Sequence, residues 1–348
     1  MIELTDPFEQ IKDVNNVNKY KTAGMIATRA VDEVVKAAKP GIKLNELCNI
    51  ANNLIKIECD KVYKDIKYKG IAFPICLSLN NIAGHYIPNE TDSIKEGDLL
   101  KIELGVHIDG FPALITFTTL ITNNKISDKR SNVMKAVIEA SKEIYNIMKP
   151  GNTSKDVVNV LNKYATKYNC NLPVCNDKGF VPGVLSCQVS RYIVDGYDDD
   201  GDEYIHRFIM AKDNPNLEFS SIENELEDGE VYAIDIMMST GTGKLQSIDR
   251  TDIYKRDYET RVELKLKSSK EALSKFNKER FPISLVNRDA KTKIGLKECI
   301  DKNLVKTYPV VSDKEGEYIA RVKFTVIVKD KPILVCGKPS DGELSKLG

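Results

Sequence analysis

Apolar and polar residues alternate with a period of two along residues 95–120, a pattern typical of β-strands with one buried face. The apolar positions of the first strand are Leu100, Ile102 and Leu104. Asp109 and Gly110 then form a dipeptide that tolerates positive φ at both central positions of a tight turn. The pattern resumes from 111 to 120, so the sequence predicts a β-hairpin.

A two-residue turn in this hairpin pairs Glu103 with Thr116 and Gly105 with Leu114. Glu103 and Leu114 are then diagonal neighbours on one face of the hairpin, about 7–8 Å apart. An acidic side chain and an aliphatic one are therefore expected to meet there.

Apolar residues at helical spacing predict helices over 20–38, 44–55 and 133–148, and a further helix after residue 151. The first and third of these end in Lys-Pro-Gly, which cannot continue a helix. Further strands are predicted over 70–79, 318–328 and 332–336.

The two Lys-Pro-Gly stops indicate an internal repeat. Placing Lys39 on Lys149 aligns the two stops and the helices that follow them. A somewhat larger shift aligns EGDLLKIEL with DGEVYAIDI and places Glu103 on Asp235. The difference between the two shifts is accommodated by the acidic, loop-like segment 195–220 of the second half.

The repeat predicts how the chain is organised. Residues 1–18 are expected to form an N-terminal extension, and 19–348 a single domain with an insertion in its second half. The predicted bounds are about 19–128 for the first half, 129–250 plus 308–337 for the second half, 195–220 for an acidic loop insertion, and 252–307 for a basic, mainly helical inserted subdomain.

Composition is that of an ordinary globular protein. The 348 residues are 42% hydrophobic and 29% charged, with a formal net charge of zero. The apolar runs are too short to span a membrane, and the N-terminus has no secretory signal pattern. The eight cysteines lack paired short spacing, which favours reduced thiols in the cytoplasm or nucleus.

Several motifs in order resemble a known family. GIAFP, SLNNIAGHYIPN, KEGDLLKIELGVHIDGF, GEVYAIDIMMSTGTGK and EGEYIARVKFTVIV are similar to the type 2 methionine aminopeptidase branch of the pita-bread fold. Within that branch, PGVLSCQVSRYIVDG and DIYKRD resemble the proliferation-associated, ErbB-receptor-binding protein family. The resemblance implies an α+β fold with a pseudo-two-fold repeat, in which helices cover a curved antiparallel sheet.

The aminopeptidases of this fold hold two divalent metals with five side chains, and the resemblance carries those positions onto this chain. They are Glu103, Leu114, Leu185, Asp235 and Lys323. Only two of the five retain a carboxylate, leucine cannot donate to a metal, and an ammonium repels a cation and can pair with an acid instead. The sequence therefore predicts a pseudoenzyme with no catalytic residues, no bound metal and no cofactor.

Other interpretations of these positions remain open from sequence. Glu103 and Asp235 could be strand acids facing solvent. Lys323 is in phase with Arg321 and Thr325, so it could also face solvent. His85 occupies the position of a substrate-contacting histidine, but with the metals absent a hydrogen-bonded structural role is favoured.

The region 249–280 contains ten basic and seven acidic residues. In ELKLKS, the alternation would place two lysines on one exposed strand face, a geometry suited to RNA phosphates. The candidate RNA- and ribosome-binding residues are Lys255, Arg256, Lys265, Lys267 and Lys270. An ordinary solvated lysine-rich surface is the alternative.

The resemblance also implies partners and location. It implies binding to structured RNA and to the large ribosomal subunit, with roles in ribosome biogenesis, translation and growth control. Protein partners in growth signalling or transcription and a peptide in the relic pocket are further expectations, and no membrane partner is expected. The expected location is the cytoplasm, with the nucleus or nucleolus as further locations. The ending PSDGELSKLG, which replaces a lysine-rich tail, argues against nucleolar targeting. The rival function is a metal-dependent aminopeptidase with an atypical ligand set.

Overall fold

The computed structural model describes residues 11–175, 186–195, 207–211, 223–258, 260–276, 280–286, 289–337 and 341–348. Its helices are α1 (Val14–Ala37), α2 (Leu44–Lys61), α3 (Lys129–Ile147), α4 (Ser154–Lys167), α5 (Lys267–Leu273), α6 (Ala290–Asp301) and α7 (Asp341–Leu344). Its strands are β1 (Lys69–Leu79), β2 (Ile82–Gly84), β3 (Leu99–Ile108), β4 (Phe111–Leu120), β5 (Val174–Cys175), β6 (Ser186–Gln188), β7 (Phe208–Ile209), β8 (Val231–Ser239), β9 (Lys244–Arg256), β10 (Ile283–Ser284), β11 (Val305–Ser312), β12 (Ile319–Ile327) and β13 (Ile333–Cys336).

The main sheet is antiparallel and runs in the order β1-β3-β4-β12-β8-β6-β7, with β13 paired to β12. The strands of the first half meet those of the second half where β4 pairs with β12. Helices α1 and α2 pack against β1, β3 and β4, whereas α3 packs against β8 and β12. Two large hydrophobic clusters result, one beneath each helix pair.

The predicted hairpin is confirmed in its turn and in its register. Asp109 and Gly110 have φ of 54° and 85°, as the two-residue turn requires. Glu103 lies opposite Thr116 and Gly105 lies opposite Leu114. Gly105 is needed at its position because an added Cβ would come within 2.5 Å of Leu114 Cδ2.

The predicted repeat is present as two equivalent sets of backbone hydrogen bonds. Gly41 N–H donates to Ile94 O, and Gly151 N–H donates to Leu226 O in the second half. The same correspondence holds at the start of the next helix, where Leu44 N–H donates to Asp92 O and Ser154 N–H to Asn224 O. The donors are related by the shift that aligns the two stops, and the acceptors by the larger shift that places Glu103 on Asp235.

A strand that the sequence pattern does not predict directly follows residue 243. Strand β9 begins at Lys244 and belongs to a second sheet of order β10-β9-β11-β2, to which β5 is added in parallel. Because β9 and β11 pair with each other, the predicted insertion bounds of 252 and 307 both fall inside strands. The part between these strands contains α5, β10 and α6.

Two more predictions need correction. Helix α1 begins at Val14, inside the predicted extension 1–18, and its N-cap Asp13 accepts a hydrogen bond from Asn15 N–H. The ELKLKS motif is not a strand, because Lys267 already starts α5. The carboxylate of Glu298 on α6 instead accepts the backbone N–H groups of Lys265 and Leu266, which holds this segment against the helix.

Candidate functional site: a buried ion network

Four strands of the main sheet bring the predicted site positions into one row. Glu103 on β3 lies opposite Thr116 on β4, which lies opposite Lys323 on β12, which in turn lies opposite Asp235 on β8. Directly opposite residues of an antiparallel sheet share a face. Residues from distant parts of the chain therefore project together on one side of the sheet.

Two cations lie between the two carboxylates. Lys323 Nζ is 3.1 Å from Glu103 Oε1 and 3.2 Å from Asp235 Oδ2. Arg321 is two residues before Lys323 on the same face, and its Nη2 is 2.9 Å from Glu103 Oε1 and 2.6 Å from Asp235 Oδ2. Arg321 Nε also donates to Asp235 Oδ1 at 2.8 Å, and Nη1 donates to Glu103 Oε2 at 3.0 Å.

The network is buried and its formal charges balance. Exposed fractions are 3% for Glu103, 7% for Asp235, 4% for Lys323 and 0% for Arg321. The interpretations that placed the two acids and Lys323 at a solvent-facing surface are therefore wrong. Burial alone would raise the pKa of Glu103, but the charges of Arg321 and Lys323 outweigh it and lower that pKa to about 2.

Arg321 is the functional residue that the sequence interpretation missed. Its phase with Lys323 supports only the alternative that both residues face solvent, and Arg321 itself is not among the predicted site positions. Gly84 on β2 provides room for the guanidinium, because a Cβ at this position would collide with Arg321 Nη1 and approach Glu103 Oε2 to 3.1 Å. The glycine in the IAGHY motif is the sequence signal that could have pointed to a bulky neighbour.

Leu114 is buried beside this row. Its backbone N–H and C=O both bond to the hydroxyl of Thr325, at 2.9 Å each. These bonds engage its backbone polar groups, and its aliphatic side chain presents only carbon to the site. Leu185, the other leucine of the predicted set, lies outside the described residues.

His85 is buried next to the network. Its Nδ1 is 3.0 Å from Pro309 O, so Nδ1 carries the proton. Its ring packs against Phe73 and Tyr308, with both centroids 5.7 Å away. Burial lowers the pKa of His85 to about 4, so the imidazole is neutral at neutral pH.

Lys101 is a second buried cation that the sequence interpretation did not single out. It lies two residues before Glu103 on β3, and its Nζ donates to Asn80 O at 2.8 Å and Ile319 O at 3.0 Å. Burial and the nearby charge of Arg321 lower the pKa of Lys101 to about 7.

This arrangement does not fit a pair of divalent ions. The carboxylates of Glu103 and Asp235 are already engaged by Arg321 and Lys323. In the part of the chain that the structure describes, no group of three or more His, Cys, Asp or Glu side chains could hold a metal. The peptide ligand expected in the relic pocket stays a prediction.

The candidate RNA-binding residues differ in their exposure to solvent. Lys255 is buried and pairs with Asp195 at 2.8 Å, so its assignment to an RNA-binding surface is wrong. Arg256 is half-buried and lies over the Tyr258 ring at 4.6 Å. The remaining three, Lys265, Lys267 and Lys270, are exposed.

The fold and this row of positions define a pita-bread protein, which confirms the predicted fold class. Residues 18–263 match the model of metallopeptidase family M24, and the chain belongs to that family.

Relatives in this family include both binding proteins and enzymes by name. ErbB-3 binding protein 1 of Solanum tuberosum is 34% identical over 323 residues, which is 90% of this chain and 78% of that protein. Proliferation-associated protein A of Dictyostelium discoideum is 33% identical, over 91% of this chain and 81% of that protein. A methionine aminopeptidase of Pyrococcus abyssi is 27% identical, over 92% of this chain and 99% of the enzyme.

Solved structures agree on the fold. A thermophilic Arx1 superimposes with a TM-score of 0.79 at 23% identity, covering 96% of this chain and 94% of that one. Methionine aminopeptidase from Thermotoga maritima superimposes with a TM-score of 0.58 at 16% identity, covering 97% and 100%. Within the described residues, no helix is both long and apolar enough to cross a bilayer.

Proposed function

We propose that this chain is a catalytically inactive member of family M24. The observation that carries the proposal is the position of Arg321 and Lys323 between Glu103 and Asp235, where both cations pair with both carboxylates. Two-metal hydrolysis requires several oxygen or nitrogen donors converging on each ion. Here the two remaining acids neutralise side-chain cations instead.

We propose further that the chain acts by binding structured RNA and the large ribosomal subunit, in ribosome biogenesis, translation and growth control. Similarity to proteins named for ErbB-3 binding and for proliferation supports a role in growth control, with protein partners in growth signalling or transcription. The exposed lysines at 265, 267 and 270 support contact with phosphates. The proposed location is the cytoplasm, with access to the nucleus.

Metal content and turnover test the first proposal. The purified protein is dialysed against cobalt or manganese, its bound metal is measured, and it is incubated with a Met-Ala-Ser peptide. We expect neither stoichiometric metal nor release of methionine. Stoichiometric metal together with turnover would establish the rival function, an aminopeptidase with an atypical ligand set.

Co-sedimentation with purified large ribosomal subunits tests the second proposal. Charge reversal of Lys265, Lys267 and Lys270 to Glu should weaken binding, and the loss should depend on salt because phosphate contacts release counterions. A matched control reverses three exposed lysines of the first half, which are Lys21, Lys56 and Lys64. Equal losses in both variants would mean that the contact is not located at these three residues.

A further inference from the structure

An exposed patch on the inserted subdomain combines aliphatic and basic side chains. Val262, Leu266 and Ile294 are large aliphatic residues with exposed fractions of 48%, 43% and 58%. Lys293 and Lys297 flank Ile294 on the outward face of α6 and are also exposed. These five residues are called the α6 surface below.

Several contacts hold the segment 261–266 and the start of α5 against α6. Glu298 on α6 accepts the N–H of Leu266 at 3.1 Å, and the amine of Lys302, just after α6, donates to Glu263 O. Gly295, beside Ile294, packs so closely against the backbone of Ser268 that an added Cβ would collide with it. The extended segment is therefore held against the helix, and both elements carry exposed aliphatic residues.

The aliphatic residues of the α6 surface are not part of the subdomain core. In the segment 261–266, Leu264 points inward and is buried in a cluster with Phe276, Leu296 and Cys299. Val262 and Leu266 are two residues to either side of Leu264 and remain exposed. The subdomain thus buries one set of apolar residues and leaves a second set on its surface, where it contributes nothing to the core.

The charge of the α6 surface limits what can cover it. Among the described residues, no carboxylate lies within ion-pair distance of Lys293 or Lys297. A comparable exposed isoleucine, Ile57 on α2, is 54% exposed but adjoins Glu58, which pairs with Arg29 and Lys61. The surroundings of Ile57 are therefore electrostatically satisfied, whereas the α6 surface carries positive charge.

We propose that the α6 surface binds an acidic amphipathic protein segment, whose apolar side chains cover Val262, Leu266 and Ile294 and whose carboxylates pair with Lys293 and Lys297. Nucleic acid fits less well, because bases stack on aromatic rings and phosphates cannot desolvate aliphatic side chains. Burying apolar anchors within a ring of complementary charge is the usual arrangement of a protein interface. This inference goes beyond RNA and ribosome binding and does not depend on it.

Fluorescence anisotropy with defined probes tests the inference. The first probe is a labelled helical peptide with Leu at i, i+3, i+4 and i+7 and Glu at the outward positions. The second is a peptide of the same composition in scrambled order, and the third is an RNA hairpin of equal negative charge. We expect the full-length protein to bind the amphipathic peptide at least about tenfold more tightly than the scrambled peptide.

Two variants locate the site. Ile294→Ser removes an apolar anchor without changing charge, and it should weaken binding of the amphipathic peptide by about tenfold. The double variant K293E/I294D should abolish binding, whereas the matched control K56E/I57D on α2 should leave it unchanged. Circular dichroism checks that each variant is folded.

Several results would overturn the inference. Equal binding of the scrambled peptide would mean that charge alone is recognised. An unchanged affinity in Ile294→Ser would mean that the aliphatic residues are not contacted. If the hairpin binds more tightly than the amphipathic peptide and loses affinity in K293E/I294D, the surface is an RNA site and not a protein site.

Discussion

At the scale of single residues, the centre of the molecule is a charge-neutral group of two acids and two bases. Removing four charged groups from water is costly, and their mutual attraction offsets this cost only when every charge is paired. Arg321 supplies much of that pairing, because its guanidinium donates to Glu103 and to Asp235. Loss of Arg321 should therefore lower the free energy of unfolding far more than loss of a surface ion pair.

We predict that Arg321→Gln lowers the free energy of unfolding by about 3–5 kcal/mol, because it leaves an uncompensated buried carboxylate. The matched control is Arg29→Gln, since Arg29 is exposed and, within the described ranges, Glu58 is the acid it pairs with. The control should change the free energy by less than about 1 kcal/mol. Urea denaturation of both variants measures the difference, and similar small losses would show that the buried network does not stabilise the fold.

Lys101 should make stability depend on pH. Its pKa of about 7 in the folded protein lies below the usual value for lysine, so the folded state loses a proton that the unfolded state keeps between about pH 7 and 10. Unfolding then takes up a proton in this range, so the free energy of unfolding rises with pH. It should rise by at most about 1.4 kcal/mol per pH unit from this residue.

Lys101→Met should remove this contribution and flatten the stability curve between about pH 7 and 10. The variant also leaves Asn80 O and Ile319 O without the amine, which lowers the free energy of unfolding by the same amount at every pH. This loss does not change the slope of stability against pH. Exposed Lys21→Met serves as the control and should give a curve parallel to that of the parent protein. A variant curve as steep as the parent's would assign the pH dependence to other groups.

The sequence predicts the register of the hairpin that carries Glu103, but it does not predict that the face of Arg321 is buried. The Asp109-Gly110 turn was sufficient to align Glu103 with Thr116, because turn length sets hairpin register. Period-two alternation shows which residues share a face, but not whether that face is covered. Arg321 lies on a face covered by other parts of the fold, so a pattern typical of a solvent-facing strand proved to be buried.

At the scale of elements, sequence patterns predict the structure correctly where backbone conformation determines it. They fail where a charged residue is buried in an ion pair. Both Lys-Pro-Gly stops end helices as predicted, with Gly41 and Gly151 at φ of 90° and 85°. Strand β9 was missed because its charged residues suggested a solvated helix. Lys255 is in fact buried against Asp195, and no sequence period reveals that a distant acid will neutralise a strand lysine.

The two stop glycines give a matched pair of predictions. Apart from the glycine and its two chain neighbours, no atom of the described residues lies within 4 Å of a Cβ built on Gly41 or Gly151, so backbone strain is what opposes a substitution. Gly41→Ala and Gly151→Ala should each lower the free energy of unfolding by about 1–2 kcal/mol, and by similar amounts. Asn in place of Ala should cost less, because asparagine tolerates this backbone conformation. Clearly unequal losses in thermal unfolding would argue that the two halves are not equivalent at these stops.

At the scale of the whole molecule, the ion network connects the two halves of the repeat. Glu103 belongs to the first half, whereas Arg321, Lys323 and Asp235 belong to the second. The halves of the main sheet meet at β4 and β12, and the network crosses that junction. A pair of metal ions in an enzyme of this fold would join the same positions, which two side-chain cations connect in this chain.

The pairing of both cations with both acids predicts which substitutions allow metal binding. Lys323→Glu alone should bind no cobalt, because Arg321 remains within 3.0 Å of both carboxylates. The triple variant L114D/R321Q/K323E removes both cations and supplies four converging carboxylates, a donor set suited to divalent ions. Cobalt should therefore raise the midpoint of thermal unfolding of the triple variant and leave that of Lys323→Glu and the parent unchanged. Stoichiometric cobalt bound by Lys323→Glu in calorimetry would show that Arg321 does not block the site.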